Sequence, residues 1–297
     1  MGLAAAAKLR AFVVGRHRFR LAGLSAGDPY FRQIKGRFEA KFQAVCARAL
    51  RPGGVALDVG ANIGVTALIM SAFVGDQGRV VAFEPGRQVF DLLQRNVELN
   101  GVGNVELRCC ALSSSVGRMG FHEDSAFGHL VPEGAPETVE VSTLDAVAEE
   151  LGLARLDLIK IDTEGFEPHV LAGGRQVLER LRPIIYLELN AWTLLISSRT
   201  DPLVFLRDLV RLYPHVLRVR RGGGRLALEQ IPGSPDEAAA ILLRDNICYY
   251  NSFNDLMLLP DAAAVARFAD IIGPPERPGG SGLPRLARAV VRRLWGR

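Results

Sequence analysis

The sequence predicts an α/β fold, a mostly parallel sheet with helices on both faces. Three observations carry this. Beyond residue 50, short apolar runs alternate with segments of helical period. The runs show little polar alternation, which marks strands buried on both faces. The first two runs end in acids, Asp58 and Glu84, at the strand ends where open parallel sheets bind ligands. The 297 residues, 48% hydrophobic, suffice for one large domain or two modest ones.

Residues 1–50 read as an N-terminal helical extension, because "FEAKFQAVCARAL" places Phe38, Phe42, Val45, Ala49 and Leu50 at helical spacing. "RPGG" ends it. "VALDVG" is a strand and "VTALIMSAFVG" a helix stopped by Gly75. "RVVAFEP" is a strand stopped by Pro85. "RQVFDLLQRNVELNG" is an amphipathic helix with Val89, Leu92, Leu93, Val97 and Leu99 inward and Gly101 near its C-cap. "VELRCCALS" is a third strand. In residues 113–156, "GRMGFHED" and "TVEVSTLDAVAEEL" indicate a hairpin, then a short helix capped near Thr143. "LDLIKID" and "PIIYLELN" are further strands, and "EPHVLAGGRQVLERL" between them is a helix bent near Gly173 and Gly174. "PLVFLRDLVRLY" is a helix before the strands "HVLRVRR", "GRLALEQ" and "DLMLLP". The main domain is placed at 51–265. A linker containing "GPPERPGGSG" and a basic tail occupy 266–297.

The net charge of +4 is too small to make nucleic acid the main partner. Four cysteines, Cys46, Cys109, Cys110 and Cys248, form no CxxC pair. No disulfide framework or metal knuckle is expected, and a reducing, cytoplasmic compartment is the default. Lys8 and Arg10 interrupt the N-terminal apolar run, so no signal peptide is expected. No stretch reaches the ~18 apolar residues of a membrane span. The last fifteen residues hold five arginines and no acid. As a helix they segregate Leu283, Leu286, Val290 and Leu294 from Arg285, Arg288 and Arg292. That pattern suits a weak membrane-surface contact or a terminal helix docked on its own domain. Nothing in the sequence indicates an oligomeric state.

"ALDVGANIGVT" is a strand, a glycine-broken turn and a helix start. A phosphate-cradling loop would need a lysine that is absent here. A dinucleotide fingerprint would put glycines at Asn62 and Val65, and a side chain at the second position obstructs a pyrophosphate. A nucleoside without phosphate remains. Gly60 and Gly64 let the turn pass close beneath it. Asp58 either orients the loop or meets a cationic ammonium, and Glu84 suits two ribose hydroxyls. Neutral ribose hydroxyls and a cationic amino-acid tail fit S-adenosylmethionine. The competing reading makes Asp58 and Glu84 simple helix caps.

"DVGANIGVTAL", "VVAFEPGRQVFDLLQRNVELNG", "CALSSSVG", "VSTLDAV", "LDLIKIDTEGFEPHVLAGG" and "PIIYLELN" together resemble the FkbM family of methyltransferases, over residues 55–190. "FNDLMLLP" is similar to its last strand. The resemblance implies a class I methyltransferase (Rossmann-like) fold with a seven-stranded sheet. It also implies S-adenosyl-L-methionine as cofactor and a hydroxyl of a sugar, glycan or natural product as acceptor. By position, Asp58, Gly60, Asn62 and Gly64 would line the methionine end and Glu84 would hold the ribose. The strand exit at Cys110, Ala111 and Leu112 would touch adenine. Pro168 departs mildly from the family pattern, tolerably so early in a helix.

"IKIDTEGFE" offers Lys160, Asp162, Glu164 and Glu167 at the end of a central strand. Asp162 is the first candidate for general base or acceptor-orienting acid, Glu164 the second, and Lys160 their tuning partner. The alternative makes the acids helix N-terminal charges. Glu188, closing "YLELN", is a substrate-binding candidate. The five histidines, His17, His122, His129, His169 and His215, lie at no metal-ligand spacing, so no metal site is expected. His122 and His129 flank a candidate lid, and His169 is placed to reach substrate. Two rivals stand beside the methyltransferase: a nicotinamide-dependent oxidoreductase on a similar fold, and a catalytically idle nucleoside-binding module.

Overall fold

The computed structural model describes residues 9–25, 28–124, 127–131, 137–220, 225–249 and 254–274. The described residues open with a hairpin, β1 (Arg10–Val14) and β2 (His17–Leu21). Helices α1 (Pro29–Gln33) and α2 (Ala40–Ala49) follow. The alternating part then runs β3 (Val55–Val59), α3 (Val65–Val74), β4 (Arg79–Phe83), α4 (Arg87–Leu99) and β5 (Val105–Arg108). An inserted sheet contains β6 (Ala111–Leu112), β7 (Gly117–Asp124), β8 (Phe127–Val131) and β9 (Glu137–Ser142). Next come α5 (Leu144–Glu150), β10 (Leu158–Ile161), α6 (Glu167–Ala172), α7 (Arg175–Leu181) and β11 (Ile184–Leu189). The last part holds α8 (Ala191–Ile196), α9 (Pro202–Leu212), β12 (His215–Val219), β13 (Leu228–Gln230) and α10 (Pro235–Tyr249). It finishes with β14 (Asn254–Leu259), α11 (Ala262–Ala266) and β15 (Ile272–Gly273).

Among the described residues the main sheet has nine strands in the order β15-β13-β12-β14-β11-β10-β3-β4-β5. Seven of them, β12 to β5, form the expected class I methyltransferase sheet. β11, β10, β3, β4 and β5 pair in parallel, and β14 runs antiparallel between β11 and β12. Two short strands, β13 and β15, extend one edge beyond the expected seven. The strand order reverses between β3 and β10, and ligands of open α/β sheets bind at such a reversal.

Period-2 alternation divides the sheet between two cores. Ala56, Val80, Ala82, Leu158, Ile184 and Met257 face the hairpin, α2, α3 and α4. Leu57, Val59, Val81, Ile159, Ile161 and Leu187 face α5, α6, α7, α9 and α10. A small third core of Ala111, Phe121, Leu130, Val141 and Phe166 seats the inserted sheet.

The structure differs from the sequence reading in four places. The first fifty residues are not a helical extension, because β1 and β2 pair in them. Their short, β-branched and aromatic runs of five residues carry no helical period. Nor is this segment separate from the main domain. Fully buried Asn96 on α4 accepts from Ala22 N at 2.7 Å and donates to Ala22 O and Ile63 O. The "VELRCCALS" strand breaks in two, and β6 pairs with β9 in the inserted sheet instead of continuing the main one. Helix α10 is absent from the sequence reading, and the main sheet continues beyond residue 265 to β15. The basic tail lies outside the described residues, as does nearly all of the linker. No helix among the described residues is long and apolar enough to cross a membrane.

Candidate active site

A cleft of about 490 Å³ opens at the C-terminal ends of β3, β4, β10 and β11. One sheet face leads into it. Along that face alternate residues change from apolar to charged as each strand ends: Ala56 to Asp58, Ala82 to Glu84, Leu158 to Lys160 to Asp162, and Ile184 to Tyr186 to Glu188. Asp255, opposite Glu188 in register, completes the set from antiparallel β14.

The turn after β3 is held from several sides. Asn62 takes a left-handed conformation, φ 50°, and its amide nitrogen donates to Glu84 at 2.9 Å. The other Glu84 oxygen accepts from Gly86 N at 2.9 Å, so its carboxylate plane is fixed across two loops. Gly60 adopts φ 79°, and a Cβ there would lie 1.9 Å from Asp162 O, so this turn and the β10 exit touch backbone to backbone. A Cβ at Gly64 would meet Leu93 at 2.7 Å. Gly64 therefore serves helix packing, and it is not part of the cleft wall as expected.

Of the two expectations for Asp58, its position matches the loop-orienting one. It is fully buried beneath the turn, where Oδ2 accepts from the Thr66 hydroxyl at 2.6 Å. Among the described residues its Oδ1 has no hydrogen-bond donor, and it stands 3.6 Å from Lys160 Nζ. Burial pushes the Asp58 carboxyl up, opposed by Lys160 and Thr66. Lys160 in turn donates to Gly60 O at 2.7 Å and pairs with Asp162 at 3.2 Å. Burial works against its charge, but Asp162 and Asp58 outweigh it and the ammonium is held above the usual lysine range. Lys160 is thus the clamp joining β3 to β10.

Three carboxylates, Asp162, Glu164 and Glu188, bring oxygens within 4.8 Å of one another. Glu164 takes φ 53° in the loop after β10. Burial, with Asp162 and Glu167 adding to it, pushes its carboxyl up to about 7. Glu188 is raised by burial and by Asp162, Glu164 and Asp255. Glu167 has a different role: it is buried and accepts from Thr163 N, Thr163 Oγ1 and Gly165 N, closing the loop that presents Glu164.

A narrow pocket beside the turn is lined by Gly60, Phe83, Pro85, Ala111, Phe121 and Leu130. Ala111 lies in this wall, which is mostly apolar. His169 does not line the cleft; it is half-buried against the Phe166 ring at 5.1 Å, with its pKa lowered by burial. His122 pairs in register with His129 on the inserted hairpin.

The N-terminal segment supplies a wall that sequence reasoning missed: Tyr30, Gln33, Phe38, Glu39 and Phe42. Phe42 packs edge-on against Tyr186 with centroids 5.1 Å apart. Tyr186 was legible as the same-face neighbour of Glu188, two residues away. The N-terminal residues carried no comparable signal.

Residues 58–201 match the model of the methyltransferase FkbM domain. Over this stretch, just under half of the chain, the sequence is similar to the FkbM family. The methyltransferase sdnD of Sordaria araneosa is 33% identical over 39% of this chain and 59% of its own. The 31-O-demethyl-FK506 methyltransferase FkbM of Streptomyces tacrolimicus is 34% identical over 42% of this chain and 60% of its own. The 2-O-methyltransferase NoeI of Sinorhizobium fredii is 28% identical over 58% of this chain and 77% of its own. Against several curated relatives the match spans only 53% to 60% of their length. The match begins at Asp58, so it omits the N-terminal wall of the cleft.

Proposed function

We propose that this chain transfers a methyl group from S-adenosylmethionine to a hydroxyl of a sugar or natural product. One observation carries the reading: a nucleoside-type cradle and an acid cluster with a carboxyl near neutrality share one cleft at the sheet's reversal point. Two relatives named for O-methylation support oxygen as the acceptor atom.

The residues fit the cofactor. Asn62 and Glu84 border the cleft where ribose hydroxyls would lie, and the pocket of Ala111, Phe121 and Leu130 would take adenine. Turn 60–62 and Tyr30 would flank the methionine end. When bound, the cofactor supplies a methyl already activated on a sulfonium. The chain's task is then to align the acceptor and remove its proton, and alignment alone can supply ~7–11 kcal/mol in well-oriented reactions.

Glu164 is the better base. Asp162 is engaged by Lys160, whereas Glu164 has no hydrogen bond among the described residues and a carboxyl poised near the working pH. Asp162 and Lys160 orient the loop, and Glu188 meets the acceptor.

The test is thermal unfolding with S-adenosylmethionine, S-adenosylhomocysteine or NAD. Ligand at about 100-fold over Kd stabilises by ~2.7 kcal/mol, a rise of roughly 5–10 °C for a domain of this size. A rise with both sulfur nucleosides and none with NAD is expected, and it disappears in Glu84→Ala. A rise with NAD alone would restore the oxidoreductase. Cofactor binding without turnover across hydroxylated acceptors would leave an idle binding module.

A further inference from the structure

At the opposite end of the sheet, where β10 and β11 begin, lies a second pocket of about 320 Å³. Four arginines line it: Arg155, Arg180, Arg182 and Arg267. They come from separate parts of the chain, the loop before β10, the end of α7 and the segment after α11.

Three of them are held in place by backbone carbonyls. Arg180 donates to Leu153 O at 3.0 Å, Arg182 to Pro260 O, and Arg267 to Ala49 O at 3.3 Å. A carbonyl fixes a guanidinium without neutralising it, and none of these three has a carboxylate partner among the described residues. The two acids in the wall are already engaged. Asp157 accepts from Val55 N at 2.9 Å and pairs with Arg155 at 2.8 Å, and Asp261 caps α11 through Ala264 N at 2.8 Å. The pocket therefore presents several pre-positioned N–H forks and uncompensated positive charge. Guanidinium forks match the paired oxygens of a phosphate and bind them bidentately.

We infer that this pocket is a binding site for a phosphate monoester, separate from the cleft. The ligand is either a free phosphorylated molecule or the exposed phosphate of an anionic lipid headgroup, and the same arginine forks would read both. Arg180, Arg182 and Arg267 are the principal contacts, because each retains several donors beyond the one given to a carbonyl.

Calorimetric titration of the full chain with inorganic phosphate at low ionic strength tests the site. Arg180→Gln/Arg267→Gln is expected to weaken binding about tenfold or more, with the thermal midpoint in the absence of phosphate kept. Arg18→Gln, an exposed cation on the N-terminal hairpin, leaves binding unchanged. Either single glutamine variant substitutes if the pair fails to fold. Co-sedimentation with phosphatidylcholine vesicles, with and without phosphatidic acid, separates the sources. Phosphatidic-acid-dependent binding that the glutamine variant loses identifies the lipid phosphate, and binding of inorganic phosphate alone identifies a soluble ligand. No binding of either, or equal binding by the glutamine variant, overturns the site.

Discussion

Strands β10 and β11 begin among arginines and end among carboxylates. Arg155, Arg180 and Arg182 surround their starts, and Asp162, Glu164 and Glu188 their exits. β10 is four residues long, so the two ends are only about 13 Å apart along it. The charges are nonetheless held in different ways. The arginines are exposed; Arg180 and Arg182 lean on carbonyls and Arg155 on Asp157, so water carries most of their solvation. The carboxylates crowd into a cleft, where burial and mutual repulsion move Glu164 to about 7 and raise Glu188. Charge in water costs little and does little chemistry. Charge kept in a confined site against its neighbours is what catalysis uses. On this contrast, substitutions at the exits should change rate and pH response, and those at the starts should not.

The largest effect is expected at Glu164. Glu164→Gln should lower turnover about 10²–10⁴-fold and leave cofactor affinity within about twofold, the loss typical of a removed general base. The sign of the pH dependence follows from the direction of the shift. A base must be deprotonated, so native turnover rises as pH passes through about 7, and this limb is absent in the variant. A rate profile that keeps the limb after substitution would move the base to Asp162 or Glu188.

Lys160 comes next. It is buried between Asp58 and Asp162 and bonded to Gly60 O. Lys160→Met leaves fully buried Asp58 without its cation, a loss of about 3–5 kcal/mol when one partner of a buried pair is removed. Denaturant unfolding measures it. A loss below 1 kcal/mol would mean that Asp58 is satisfied by Thr66 alone, and that the exits are no more tightly coupled than the starts.

Much of this contrast could be read in the sequence, and the reasons are local. A parallel strand buried on both faces is written as an apolar run, and its functional end is the first acid after the run. Asp58, Glu84, Asp162 and Glu188 all follow that rule. The two glycines of the turn were legible as backbone devices, but not what they pack against; Gly60 meets Asp162 O and Gly64 meets Leu93. Helix α1 and the start of α2 were not legible as cleft wall, since this segment is docked through tertiary contacts such as Asn96 to Ala22 that leave no periodic trace. Helix α10 escaped because "PDEAAAILLRDNICY" has a weak apolar stripe and carries Asp245 and Asn246 inward, against Arg218 and Leu189 O. The arginine pocket escaped for a different reason: its members are spread over more than a hundred residues, from Arg155 to Arg267, and meet only in the fold.

A smaller effect of opposite sign is expected at Glu188. Its folded carboxyl is raised by burial and by Asp162, Glu164 and Asp255. A raised carboxyl favours the fold while protonated and loses that advantage as pH rises through its folded value. Glu188→Gln cannot ionise, so it should exceed the native chain in stability by about 1–2 kcal/mol at neutral pH, with the gap closing near pH 4. Paired thermal melts at the two pH values read this directly. A gap that widens on acidification would show Glu188 to be a stabilising anion with a partner.

The smallest effect is expected at the strand starts. Arg155 is 54% exposed and pairs with Asp157, whose carboxylate also accepts from Val55 N. Arg155→Gln removes a solvated partner and leaves that backbone bond, so the loss should stay under about 1 kcal/mol and shrink further in salt. Asp157→Ala removes the acceptor of a strand-leading N–H as well and should cost more, about 1–2 kcal/mol. The order of these two variants is the sharper test, because it separates charge from hydrogen bonding at the same position. A larger loss for Arg155→Gln than for Asp157→Ala would mean that this end of the sheet also depends on charge held out of water. The difference between the two ends of β10 would then be one of sign alone.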